Sequence, residues 1–259
     1  MTNPKAWLIV LSTFLFSCNS GDPTEPRLTI AVASNMQVTM EEIARRFTLD
    51  TGIAVGVSSG SSGVLSAQIR QGAPFDLFLS ANMVYPTALA AQGLTAGAPQ
   101  TYAYGTLILW SLDDIDLKAG LQSLTLETVN NFAVANPETA PYGIAAIQAL
   151  DRSALLDDLK YKMVIGESVA QVNQYVSSGA VQAGFTSSSV LHASTLVDKG
   201  ISHEINKALY EPIEQGIVIL KSAMANNPDA AKAFFNYMFS PEAQAVLKAH
   251  GYQVLEDLK

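Results

Sequence analysis

"SSGSSGVL", residues 58–65, decides how this chain is read. Four serines and two glycines stand between the strand-like "IAVGVSSG" and an apolar run with helical spacing, Ser62–Gln71. Three readings compete: a flexible linker, a nucleophile turn, or a cradle for a charged ligand. A linker separating domains would be longer and would not lead at once into an amphipathic helix. A nucleophile elbow needs G-x-S-x-G, and in Gly60-Ser61-Ser62-Gly63 the second glycine comes one residue early. A hydrolase also needs a base, and His192, His203 and His250 have no evident orienting partner. No lysine follows as a phosphate-binding P-loop requires.

The same junction recurs along the chain. "RLTIAVAS" (27–34) reads as a strand, and Met36, Met40, Ile43, Ala44 and Phe47 then repeat at helical spacing up to Gly52. "FDLFLSA" (75–81), "YGTLILWS" (104–111), "NFAVANP" (131–137), "KMVIGES" (162–168) and "QGIVILKSA" (215–223) read as further strands, and 228–250 as a helical tail. Five strand-to-helix junctions result: Ser34-Asn35, Ser61–Gly63, Pro141–Gly143, Glu167–Val169 and Thr186–Ser189. The alternation predicts α/β layers with mostly parallel sheets. Ligands of such sheets sit at the carboxyl ends of strands, where helix N-termini present free N–H groups. Several such ends would hold an anion without Lys or Arg. Taken singly, Ser34, Ser62 and Ser168 read as caps of their own helices. Asp76 reads as structural, since a carboxylate would repel an oxyanion.

Composition narrows the classes. With 259 residues, 49% apolar and 15% charged, the chain can build a full core and is not a disordered segment. Its formal charge of −8 gives no long-range attraction to nucleic acid or to an anion. Lys5, the apolar run Ala6–Phe16 and Ser17 read as a signal peptide over 1–17. Without it the charge is −9, from 14 basic and 23 acidic residues. Cys18 is the sole cysteine, which excludes an internal disulfide and a thiolate metal cluster. "LFSC" (15–18) resembles a bacterial lipobox, with Phe16 atypical, and implies lipidation of Cys18; an ordinary secretory signal is the alternative. Residues 18–26 then form a polar, proline-bearing tether. Asp113, Asp114 and Asp116 lack the spacing of a calcium loop.

Taken in order, "AVASNM", "GSSGVLSAQIRQGAPFDLFLSAN", "ANPETAPYGIAAIQAL", "GESVAQV" and "GAVQAGF" resemble the substrate-binding proteins of bacterial molybdate ABC transporters, over about 27–259. The resemblance implies a type II periplasmic-binding-protein fold of two α/β lobes with the oxyanion in the cleft. Lobe 1 would hold 27–104 and 212–259, lobe 2 would hold 105–211, and the crossings would lie near Tyr104–Gly105 and Glu211–Pro212. It implies Ser34, Asn35, Ser62, Tyr142 and Val169 as the oxyanion-binding residues, the last two through backbone N–H, with Ser61 and Ser187 as additional candidates. Some members supply a tyrosine hydroxyl after the "GF" strand; "GFTSSSV" (184–190) has Ser187 there instead, so Asn35 is expected to compensate. Molybdate or tungstate would be cargo held through its oxygens, with no direct protein–metal ligand, no cofactor and no catalysis. The partner would be an inner-membrane ABC permease, and the protein a monomer outside that membrane, anchored by Cys18. The alternatives are another oxyanion, sulfate or phosphate, in the same fold, or a serine hydrolase.

Overall fold

The computed structural model describes residues 27–192 and 199–255. The signal peptide, Cys18 and the tether lie outside them. In chain order, the first part runs β1 (Arg27–Ala33), α1 (Gln37–Thr51), β2 (Ala54–Gly60), α2 (Ser62–Arg70), β3 (Leu77–Ser80), α3 (Val84–Ala91) and β4 (Gln100–Gly105). The middle runs β5 (Leu107–Ser111), β6 (Phe132–Ala135), α4 (Pro141–Arg152), α5 (Leu156–Leu159), β7 (Met163–Gly166), α6 (Val169–Ser177), β8 (Ala183–Ser187) and β9 (Ile201–Glu204). The chain then closes with β10 (Ile213–Ile219), α7 (Lys221–Asn226), α8 (Pro228–Tyr237) and α9 (Pro241–Ala249).

Two five-stranded sheets form, ordered β2-β1-β3-β10-β4 and β7-β6-β8-β5-β9. Each has four strands running one way and a reversed strand in fourth place, β10 in one and β5 in the other. The chain leaves the first sheet after Gly105 and returns to it at Ile213. The run 104–111, read from sequence as one strand, is therefore two. It breaks at Thr106, where the pairing partner changes from β10 to β8 and β9. Apolar periodicity cannot register that change, because both halves are buried.

Side-chain patterning explains the layers. In β1, Leu28 and Ile30 to Ala33 are all buried, as expected of a parallel strand covered on both faces. One face packs on α1, α8 and α9 through Met40, Ile43, Phe47, Phe234 and Leu247. Phe47 meets Phe234 edge-on at 5.0 Å, and burying a ring this fully contributes roughly 1.5–3 kcal/mol. The other face packs on α2 and α3 through Leu65, Ile69 and Leu89. Gly52, at φ 74°, ends α1. Asp76 is structural: it is buried, and its carboxylate accepts from the Thr29 N–H at 2.8 Å and from Asn227 Nδ2 at 3.3 Å. The second sheet packs on α4 and α6, and its core runs on to Ala33 and Ala81 of the first sheet's strand ends.

Candidate functional site

The carboxyl ends of β1, β2, β6 and β7 point toward one another across the seam between the sheets. The segments that follow them are Ser34–Met36, a short 3-10 turn, and the first turns of α2, α4 and α6. A helix's first turn has N–H groups with no preceding carbonyl to bond. In α4, Gly143 and Ile144 turn back to the Ala140 carbonyl, and the Tyr142 N–H is left without a partner among the described residues. The N–H groups of Ser62 and Val169 are likewise unpaired, as is that of Asn35.

These segments border a small, narrow cavity. That is room for one compact group and none for a sugar or amino acid. Ser34, Asn35, Ser61, Ser62, Tyr142 and Val169 all line it, with Ala33, Ala81, Ala140 and Pro141. No charged side chain does. A much larger recess lies on the crossings against Tyr104, Tyr210 and Ile213. It is mainly apolar, and its one cation, Lys207, faces Glu204 at 3.8 Å.

The hydroxyls differ in their commitments. Ser168 is a cap, accepting from the Gln171 N–H at 3.4 Å. Ser34 and Ser62 are not. The Ser34 hydroxyl caps nothing. Ser62 is the first residue of α2, and its Oγ accepts from the Ala81 N–H at 3.0 Å. Its own proton is thereby free to be donated into the cavity. Ser61 Oγ is buried with no hydrogen-bond partner. A buried unpaired hydroxyl is costly, and this one sits where an acceptor would satisfy it.

Two residues differ from expectation. Asn35 borders the cavity, but its carboxamide donates to Gln215 Oε1 and to the Tyr252 hydroxyl, both at 3.1 Å. Both amide protons are spent, so Asn35 meets the cavity with its backbone N–H, and its side chain does not replace a tyrosine hydroxyl. Ser187 does not line the cavity. It lies behind Tyr142 and accepts from the Tyr142 hydroxyl at 3.1 Å. Sequence reasoning missed Gln215 and Tyr252, which have no motif around them. Burial pushes the hydroxyl pKa values of Tyr142 and Tyr252 upward, so both remain neutral donors.

The two sides are in contact around the cavity. The Gly63 N–H donates to the Thr139 carbonyl at 2.8 Å, and the Tyr85 hydroxyl to the Glu138 carbonyl at 3.3 Å. On the other rim, Ser189 Oγ donates to the Asn35 carbonyl at 2.7 Å. A ring of N–H and O–H donors, drawn from both sheets and carried by buried residues, can hold a small anion by charge-assisted hydrogen bonds.

Residues 28–253 match the family described as bacterial extracellular solute-binding protein. The chain is 37% identical to the molybdate-binding protein ModA of Azotobacter vinelandii over 246 residues, 95% of this chain and 96% of that protein. It is 30% identical to the putative ABC transporter substrate-binding lipoprotein YvgL of Bacillus subtilis, over 95% of this chain and 94% of that one. The solved Azotobacter vinelandii periplasmic molybdate-binding protein superposes with a TM-score of 0.82 at 37% identity, covering 88% of this chain and 99% of the other.

Proposed function

This chain belongs to the bacterial extracellular solute-binding protein family, and we propose that within it the chain captures molybdate and delivers it to an ABC permease. The observation that carries this is the uncharged donor ring, drawn from both sheets, around one small cavity. Ser34, Ser61 and Ser62 donate hydroxyl protons from one lobe, with the Asn35 and Ser62 N–H groups beside them. Tyr142 and Val169 donate N–H groups from the other, at the positive ends of α4 and α6. Each charge-assisted bond contributes roughly 1.5–3 kcal/mol, and several together offset dehydration of a dianion. We take the lobes as 27–105 with 212–255, and 106–211, one residue later at the first crossing than the sequence suggests because Gly105 pairs with Ile213 in the first sheet, closing about their two crossings as the ligand bridges them.

The donor set works against phosphate, which keeps a proton near neutral pH and meets no carboxylate in the wall. Sulfate has no such proton and is excluded by fit: the smaller ion leaves donors too far apart for good geometry. Tungstate, with the shape and charge of molybdate, binds alongside it. The anion is cargo, no cofactor takes part, and the complex is stoichiometric without turnover, formed by a monomer.

Isothermal titration of the ligand-stripped protein with molybdate is expected to show one site that survives excess sulfate and phosphate. Loss of the heat in either competitor would reassign the ligand. The lipobox-like "LFSC" and the lipoprotein relative support a Cys18 anchor outside the inner membrane. Mass spectrometry of the mature N-terminus should find an acylated Cys18; an unmodified Cys18 or a different cleavage point would remove the anchor.

A further inference from the structure

Behind the anion cavity, and outside its lining, lies a buried polar network with Gln215 at its centre. Gln215 is fully buried on β10, two residues after the chain returns from the second sheet. The strand register shifts between Gln215 and Gly216, a bulge of the kind that re-aims a side chain. Its Oε1 accepts from Asn35 Nδ2 at 3.1 Å and from the Tyr102 hydroxyl at 3.2 Å. Its Nε2 donates to the Tyr142 hydroxyl at 3.3 Å. Tyr142 passes the chain on to Ser187, while Tyr252 donates to the Asn35 carbonyl at 2.8 Å.

One amide therefore touches two residues that present N–H groups to the anion, Asn35 from one lobe and Tyr142 from the other. The Asn35 and Tyr102 bonds lie within the first lobe. The Tyr142 bond crosses between lobes and forms only when they meet. We infer that Gln215 is a positioning residue for closure: it sets the retention of the oxyanion by holding the two donor segments in register, without touching the ligand. Tyr142 then has two separable functions, its N–H for the anion and its hydroxyl for Gln215. The geometry has one consistent polarity, because Tyr142 must accept from Gln215 in order to donate to Ser187.

This rests on the oxyanion reading above. The test is stopped-flow and equilibrium binding of molybdate to the wild type, Gln215→Met, Tyr142→Phe and the double variant, with thermal melting of each. Gln215→Met keeps length and loses the amide. Tyr142→Phe loses only the hydroxyl and keeps the backbone donor, which guards against a folding failure of the first variant. Each single variant is expected to release molybdate about tenfold to a hundredfold faster with an unchanged association rate, and the double variant little faster than either. Release rates within twofold of the wild type, or effects that multiply fully in the double variant, would overturn the positioning role whatever happens to melting. A wild type that takes up no molybdate would overturn the ligand assignment, and this inference with it.

Discussion

In Gly63→Ala, molybdate affinity falls by about a hundredfold to ten-thousandfold while the ligand-free protein melts no lower than the wild type. Gly63 is the second residue of α2, on the rim where the lobes meet. A Cβ there would stand 2.9 Å from the Thr139 Cα and 2.9 Å from the Tyr85 hydroxyl. Thr139 Cα is backbone and cannot swing aside, so the Gly63–Thr139 bond is lost and closure stops short. Tyr142 and Val169, on the far lobe, are then held off the anion. Two charge-assisted bonds at roughly 1.5–3 kcal/mol each set the size of the loss. With the lobes apart the Thr139 clash is gone and the Tyr85 hydroxyl, the far end of a side chain, can move aside, while alanine is the better helix former by up to about 1 kcal/mol. Titration calorimetry with paired melting curves separates the two effects. Wild-type affinity in this variant would mean that the lobes need not close at this rim.

Ser62→Ala is expected to weaken molybdate binding by about 1–3 kcal/mol, or roughly fivefold to 150-fold. The hydroxyl has two partners to lose. In the proposed site it would donate to the anion, and it accepts from the buried Ala81 N–H at 3.0 Å. The second loss acts on the ligand-free protein as well, so melting should fall together with affinity. That pattern is the opposite of Gly63→Ala, where the two part company. Unchanged affinity by calorimetry would place the anion away from α2.

Much of the candidate site is legible because its residues sit at helix starts, and helix starts have sequence signatures. Pro141 opens α4 and Ser168 caps α6, so the positions of the Tyr142 and Val169 N–H groups follow from local rules. "SSGSSGVL" had to leave a strand and enter a helix, and it does so at Ser61-Ser62. What local rules do not carry is the partner of a side chain. Taken alone Ser62 reads as a cap, yet its acceptor role goes to Ala81, nineteen residues on. The family resemblance assigns Asn35 to the ligand, while its amide is held by Gln215 and Tyr252, 180 and 217 residues away. Ser187 fell on the aligned position and lies one layer too deep. Such assignments depend on where the two lobes meet, which no window along the chain contains. The break at Thr106 is hidden because the apolar run is buried on both sides of it, and the short strand β9 because it is an exposed edge with little apolar signal.

The central claim is that an uncharged ring of donors between the lobes holds molybdate. A crystal of the protein grown with molybdate, measured at the molybdenum absorption edge, tests it most directly, because anomalous scattering places the metal atom itself. The account predicts one peak, in the cavity between the Ser62 hydroxyl and the Tyr142 and Val169 N–H groups, with the anion's oxygens within hydrogen-bond reach of all three. A peak at any other place, or none from crystals saturated with the anion, would contradict it.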